Sequence, residues 1–276
     1  MEYIGGGYPD LPSRSLYDDS DDESSDTVDS NYVPTVWRLS QRSRSTDGKL
    51  KCKTLIISVS ADTGGALEQL LHLHRTKPMA TLITPTAVQL PINQQSTSGA
   101  RTCFCYDLST ATTQPHDVVL MNCKTRIPAE SAFDFVHTLF EHITPSSRVV
   151  VLTNRPHLEY VTKLTEEKHE IVFPIVRAVG TSRAYAEDTL VNIQQSLAAP
   201  NIVDGVAAAV MSHCEVHKIT ATVHVSFHET AGVGDEYYET AMLHLPILNE
   251  CGVDVDSESS TSDAPHVGLP ASTVYV

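Results

Sequence analysis

Short apolar runs alternate with amphipathic stretches along this chain. KTLIISVS (53–60) is a β-branched run with successive apolar positions, which predicts a strand buried on both faces. TCFCYDL (102–108), DVVLMNC (117–123), SRVVVLT (147–153) and ITATVHVSFH (219–228) predict further strands. GALEQLLHLHR (65–75) predicts a short helix. In PAESAFDFVHTLFEHI (128–143), residues Ala132, Phe135, Val136, Leu139, Phe140 and Ile143 follow helical spacing, and Pro128 suits the first helical position. DGVAAAVMSHCEVH (204–217) predicts a helix capped by Asp204, and DEYYETAMLHL (235–245) a final one. Strands alternating with helices imply an α/β fold, a mostly parallel sheet covered by helices on both faces. Nothing within 52–249 repeats at a fixed period or looks like a linker, so one domain is expected there.

The flanks have a different composition. Net charge is −15, unevenly spread. Residues 1–51 form an expected disordered tail, acidic at first (SLYDDSDDESSDTVDSNY, 15–32) and then basic (37–51). Ser20, Ser24 and Ser25 precede acids, as sites of acidophilic kinases do, although a solubilising tail accounts for the same composition. Residues 250–276 form a second acidic, serine-rich tail that reads as a flexible tether. The negative balance argues against nonspecific nucleic-acid binding. No run approaches ~18 apolar residues, so no membrane-spanning helix is expected, and no export signal is visible. Six cysteines without a Cys-x-x-Cys pair then point to reduced thiols in the cytoplasm or nucleus.

Catalytic chemistry is sparse. Gly64 and Gly65 precede the first helix without a Gly-x-Gly-x-x-Gly fingerprint or a Walker lysine, so they read as a turn rather than a phosphate cradle. His213 and His217 share a helix face at i, i+4 spacing, but no third ligand is evident and no glutamate directly follows His213 as in a zinc protease. His72 and His74 diverge on their helix. No Gly-x-Ser-x-Gly elbow occurs, and the pairs Glu166-Glu167 and Asp235-Glu236 read as solvated charges. No catalytic residue, metal or cofactor is expected.

The chain ends in Val274-Tyr275-Val276. A carboxylate on a flexible tether can pair with a cation or accept backbone N–H bonds, and a tyrosine before it supplies a rigid anchor. A hydrophobic-x-hydrophobic ending would also suit a PDZ domain.

APNIVDGVAAAVMSHCEVHKITATVHVSFHE (199–229), together with VVVLTNRPHLEYVTK (149–163) and FPIVRAVGTS (173–182), resembles the proteasome assembly chaperone 1 family. The resemblance covers roughly 147–229, with weaker matching back to residue 52. It implies a nucleoside-phosphorylase-like sandwich without that catalysis. It also implies a heterodimer with proteasome assembly chaperone 2, seated on the outer face of the proteasome α-ring while the 20S core particle is built. The family's hydrophobic-Tyr-x ending (the HbYX motif) falls on Val274, Tyr275 and Val276. By resemblance this tail enters a pocket between α subunits, its carboxylate meeting a lysine. The stretch 250–273 would then be the string, reaching about 25–30 Å on average as a flexible chain. Gly205 departs from the family pattern, where a larger apolar residue is usual; inside a helix it costs about 1 kcal/mol relative to alanine. Two other readings compete: a nucleoside-type enzyme on the same fold, and an adaptor for PDZ domains.

Overall fold

The computed structural model describes residues 35–39, 49–84, 102–109, 116–162, 171–187, 196–228 and 236–255. They build one eight-stranded sheet between two layers of helix. The strands are β1 (Val36–Leu39), β2 (Leu50–Ser58), β3 (Ala80–Ile83), β4 (Thr102–Asp107), β5 (Val118–Cys123), β6 (Ile143–Pro156), β7 (Ile175–Gly180) and β8 (Thr220–His228), in the order β1-β3-β4-β5-β2-β6-β8-β7. The helices are α1 (Ala61–Leu70), α2 (Ala132–His142), α3 (Ser182–Ala186), α4 (Gly205–Val216) and α5 (Glu236–Glu250).

The β-branched run 53–58 becomes the centre of the sheet because its two faces meet two different cores. Leu55 and Ile57 join the cluster built by α2 and α4, with Phe135, Leu139 and Val210. Ile56 joins the cluster built by α1 and α5, with Leu67, Ile247 and Leu248. Helices on both faces are therefore observed. The expectation of a mostly parallel sheet holds only in part. The pairs β5–β2, β2–β6 and β6–β8 are parallel, whereas β1–β3, β3–β4, β4–β5 and β7–β8 are antiparallel. For β4–β5 the reason is connection length: a parallel crossover needs about a dozen residues or more, and β4 reaches β5 in fewer.

Several boundaries move. Helix α1 starts at Ala61, not 65, because the Ser60 side chain accepts from the Thr63 amide and caps it there. Pro128 precedes a 3-10 turn (Ala129–Ser131), and α2 proper follows. Asp204 makes no capping bond; its carboxylate pairs with Arg155 instead. Helix α5 runs through Pro246, where a sequence reading stops because proline removes a helical hydrogen bond.

The folded body also extends past both expected limits. Strand β1 lies in the segment assigned to the N-terminal tail, held by pairing with β3 and by Trp37 stacked on His142 at 5.2 Å. At the other end Cys251 and Val253, assigned to the string, are buried against the sheet. All six cysteines are buried free thiols. Among the described residues no helix is long and apolar enough to cross a membrane.

Gly205 is the first residue of α4 at φ +56°, the left-handed region, and a Cβ at this position would meet no other atom within 4 Å. Its departure from the family pattern thus serves backbone geometry rather than space. Gly205→Val is expected to cost about 1–2 kcal/mol through strain alone, read as a lowered urea midpoint at unchanged slope.

Candidate docking rim at the carboxyl end of the sheet

At the carboxyl ends of β2 and β6, where the chain's crossovers diverge, α/β sheets commonly place a ligand. Here the polar side chains bond one another. Ser60 Oγ donates to Thr63 Oγ1 (2.6 Å), Thr63 Oγ1 to Asn154 Oδ1 (3.5 Å), and Asn154 Nδ2 to Asp62 Oδ2 (2.9 Å). Gly64 lies inside α1 and is neither a turn nor a cradle. Asn122 Nδ2 donates to its carbonyl (3.1 Å), so the glycine brings helix and sheet together.

The histidine pair is likewise occupied. His213 stacks on Phe140 and lies against His217, each at 4.2 Å, with the two imidazoles tilted by 33°. Burial, aided by the neighbouring His217 and His137, lowers the His213 pKa. No group of three or more His, Cys, Asp or Glu among the described residues is placed to hold a metal ion. His72 and His74 meet edge to face at 5.9 Å. Glu166, Glu167, Asp235, Ser20, Ser24 and Ser25 lie outside the described residues, as do Val274, Tyr275 and Val276.

The segments singled out by resemblance do come together. The chain leaves β6 through Arg155 and a 3-10 turn (His157–Glu159), returns in β7 after Phe173, and enters α4 through Pro200–Asp204. Asn201 clamps two of these segments: its Oδ1 accepts from the Val161 amide (2.9 Å), and its Nδ2 donates to the carbonyls of Val161 and Ala198 (2.8 Å each). Asparagine suits this place because one amide group mimics a backbone donor and acceptor at once. Phe173 packs on His157 (5.3 Å) and Tyr160 (6.1 Å), and Tyr160 on Phe227 (4.9 Å), which anchors the clamp in the first core. Arg155 pairs with Asp204 and with Glu159 (3.3 Å). Arg177 lies over the Tyr160 ring and donates to the Val176 carbonyl (3.1 Å).

Four apolar side chains stand out from this frame: Val172 (83% exposed), Ile202 (74%), Leu158 (69%) and Val161 (46%). Scattered single exposed apolar residues are ordinary, but these four are carried on segments that the Asn201 clamp and the aromatic contacts hold together. Sequence reasoning missed them. Leu158 stands between His157 and Glu159, but Val172 lies between Ile171 and Phe173 and Ile202 beside Val203, so nothing in the local sequence sets the four apart, and only the family-like segments around them gave a signal.

The family model described as proteasome assembly chaperone 4, short name PAC1, matches residues 17–263. This chain belongs to that family. It is 28% identical over 137 residues to proteasome assembly chaperone 1 of Nematostella vectensis, covering 49% of this chain and 50% of that one. To proteasome assembly chaperone 1 of Xenopus laevis it is 28% identical over 196 residues, covering 68% and 65%. The chain thus spans between half and 65% of the length of these curated relatives. The crystal structure of Pyrococcus furiosus PbaB, an archaeal proteasome activator, matches with a TM-score of 0.52 and 11% identity over 81% of this chain and 91% of PbaB, a likeness of fold.

Proposed function

We propose that this member of the PAC1 family acts by binding and not by catalysis, as a heterodimer with proteasome assembly chaperone 2 on the outer face of the α-ring of the 20S core particle. One observation carries the reading: the segments that resemble the family, 149–163, 173–182 and the start of 199–229, are held together and bear the exposed Leu158, Val161 and Ile202, with Val172 just before the second of them. The charges there support a protein partner, since Arg155 is already neutralised by Asp204 and Glu159. An apolar, charge-balanced rim is the usual centre of a protein interface. The rim holds the partner chaperone, and Val274-Tyr275-Val276 docks in a pocket between α subunits. A weak tail contact then adds to a body contact through effective concentration. The work takes place in the cytoplasm, extending to the nucleus.

Affinity capture with mass spectrometry tests both contacts. Deleting Val274–Val276 is expected to lower recovery of α subunits about tenfold or more and to leave chaperone 2 bound. The double variant V172D/I202D is expected to lose chaperone 2 by at least about tenfold, because it asks the interface to bury two carboxylates. Full recovery of both partners by both variants rules the reading out. Nucleoside cleavage by the purified chain would favour the enzyme alternative, and capture of PDZ proteins without proteasome subunits the adaptor.

A further inference from the structure

Helix α5 is seated on a polar seam. On β8, Ala221, Val223, Val225 and Phe227 belong to the first core, while Thr220, Thr222, His224 and Ser226 alternate with them and are also buried. Thr220 and Thr222 line a narrow crevice with His224, Arg148 of β6, and Ile247, Glu250 and Cys251 at the end of α5. Most of the seam is satisfied. Thr220 Oγ1 donates to the Glu187 carboxylate (2.9 Å), Ser226 Oγ to the Thr153 carbonyl (3.3 Å), and His224 Nε2 lies 3.1 Å from Thr222 Oγ1. His244 of α5 is different: it is fully buried, and neither ring nitrogen has a hydrogen-bond partner. A leucine would fill such a place without forfeiting a hydrogen bond.

We propose that His224 and His244 form an acid-sensitive clasp: protonation of these imidazoles releases α5 from the sheet and opens the second core while the first core stays folded. The charges around the clasp favour release. Arg148 already brings a positive charge to the seam, and Glu250 is committed to it through both its carboxylate (2.8 Å) and its backbone carbonyl (2.6 Å). Helix α1, which packs beside α5, carries Asp62 and Glu68, but Asp62 accepts from Asn154 and Glu68 pairs with Lys124. Two further positive charges therefore enter a seam whose neighbouring carboxylates are already engaged.

The direction in pH follows from burial. Desolvation lowers the His244 pKa from 6.5 to about 3, with His224 adding to it, and lowers the His224 pKa from 6.5 to about 4, with Arg148 adding. The released helix binds protons that the docked helix refuses. Docking is thus at full strength above about pH 6.5 and weakens as pH falls toward the folded values. One pH unit below 6.5, each imidazole shifts the open-to-closed ratio by about tenfold, and the two together by up to about 100-fold.

Hydrogen exchange on the full chain at pH 7.5 and 5.5, corrected for intrinsic rates, tests this. Protection across 242–253 is expected to fall at least about 30-fold and that of α2 less than about threefold. His244→Leu should remove at least half of the fall on a logarithmic scale. Unchanged α5 protection, an equal fall in α2, or a full fall in His244→Leu overturns the proposal. If that variant does not fold, assigned imidazole resonances of the wild-type chain decide. Both rings are expected to stay neutral at pH 6, and a midpoint near 6.5 for either in the docked state overturns it.

Discussion

Replacing Phe135 by alanine is expected to lower stability by about 3–5 kcal/mol, whereas the same change at Phe133 should stay within about 0.5 kcal/mol. The two rings sit two residues apart on α2 and differ in where the helix turn sends them. Phe135 is fully buried in the first core with Leu55, Ile57 and Val151, while Phe133 is 68% exposed. Truncating Phe135 removes its transfer energy and leaves a hole that a sheet pinned on both faces cannot close. Equilibrium urea unfolding of the two variants checks the difference. Comparable midpoints would show that α2 is not packed as described.

Gly64→Val is expected to cost about 3 kcal/mol, near the upper end for overpacking, and to lower Tm by about 6–12 °C for a body of this size. A Cβ at Gly64 would lie 2.8 Å from the Cys123 carbonyl oxygen and 2.9 Å from Asn122 Oδ1. The first is backbone in a strand paired on both sides, so relief requires lifting α1 from β5. Lifting it stretches the buried bond from Asn122 to the Gly64 carbonyl. A scanning calorimetry trace that matches the wild type would mean that the close approach is not needed. The result also bears on the nucleotide reading: a glycine required for packing gives no support to a phosphate loop.

The central strands were legible in the sequence because burial on both faces leaves a run such as LII (55–57) without a polar position. Helix α2 was legible for the complementary reason, since Ala132, Phe135, Val136 and Leu139 repeat with the helical period and are all buried. The flanking strands β1, β3 and β7 were not recognised. β1 and β3 are four residues each, too short for a periodicity, and all three are defined by long-range partners. Strand direction was misjudged at the β4–β5 step, although the short gap between those two strands excludes a crossover helix. The rim was legible only through the family-like segments. No local pattern distinguishes an exposed Ile202 from a buried one, and what exposes it is the Asn201 clamp, a contact between residues forty positions apart. The reading of Val274-Tyr275-Val276 came from the chemistry of that ending and from the family resemblance, and these residues lie outside those described.

Helix α5 follows all the strands among the described residues yet helps to close a core begun by α1. A ribosome making this protein therefore exports a sheet with part of one side bare. Until Glu236–Val253 emerges, Ile56, Leu120, Val150 and Leu152 lack the cover of Ile247, Leu248 and Val253. The nascent chain is consequently more prone to aggregation before Glu236–Val253 emerges than after. A protein from a family of assembly chaperones thus passes through a stage at which part of its own core is uncovered.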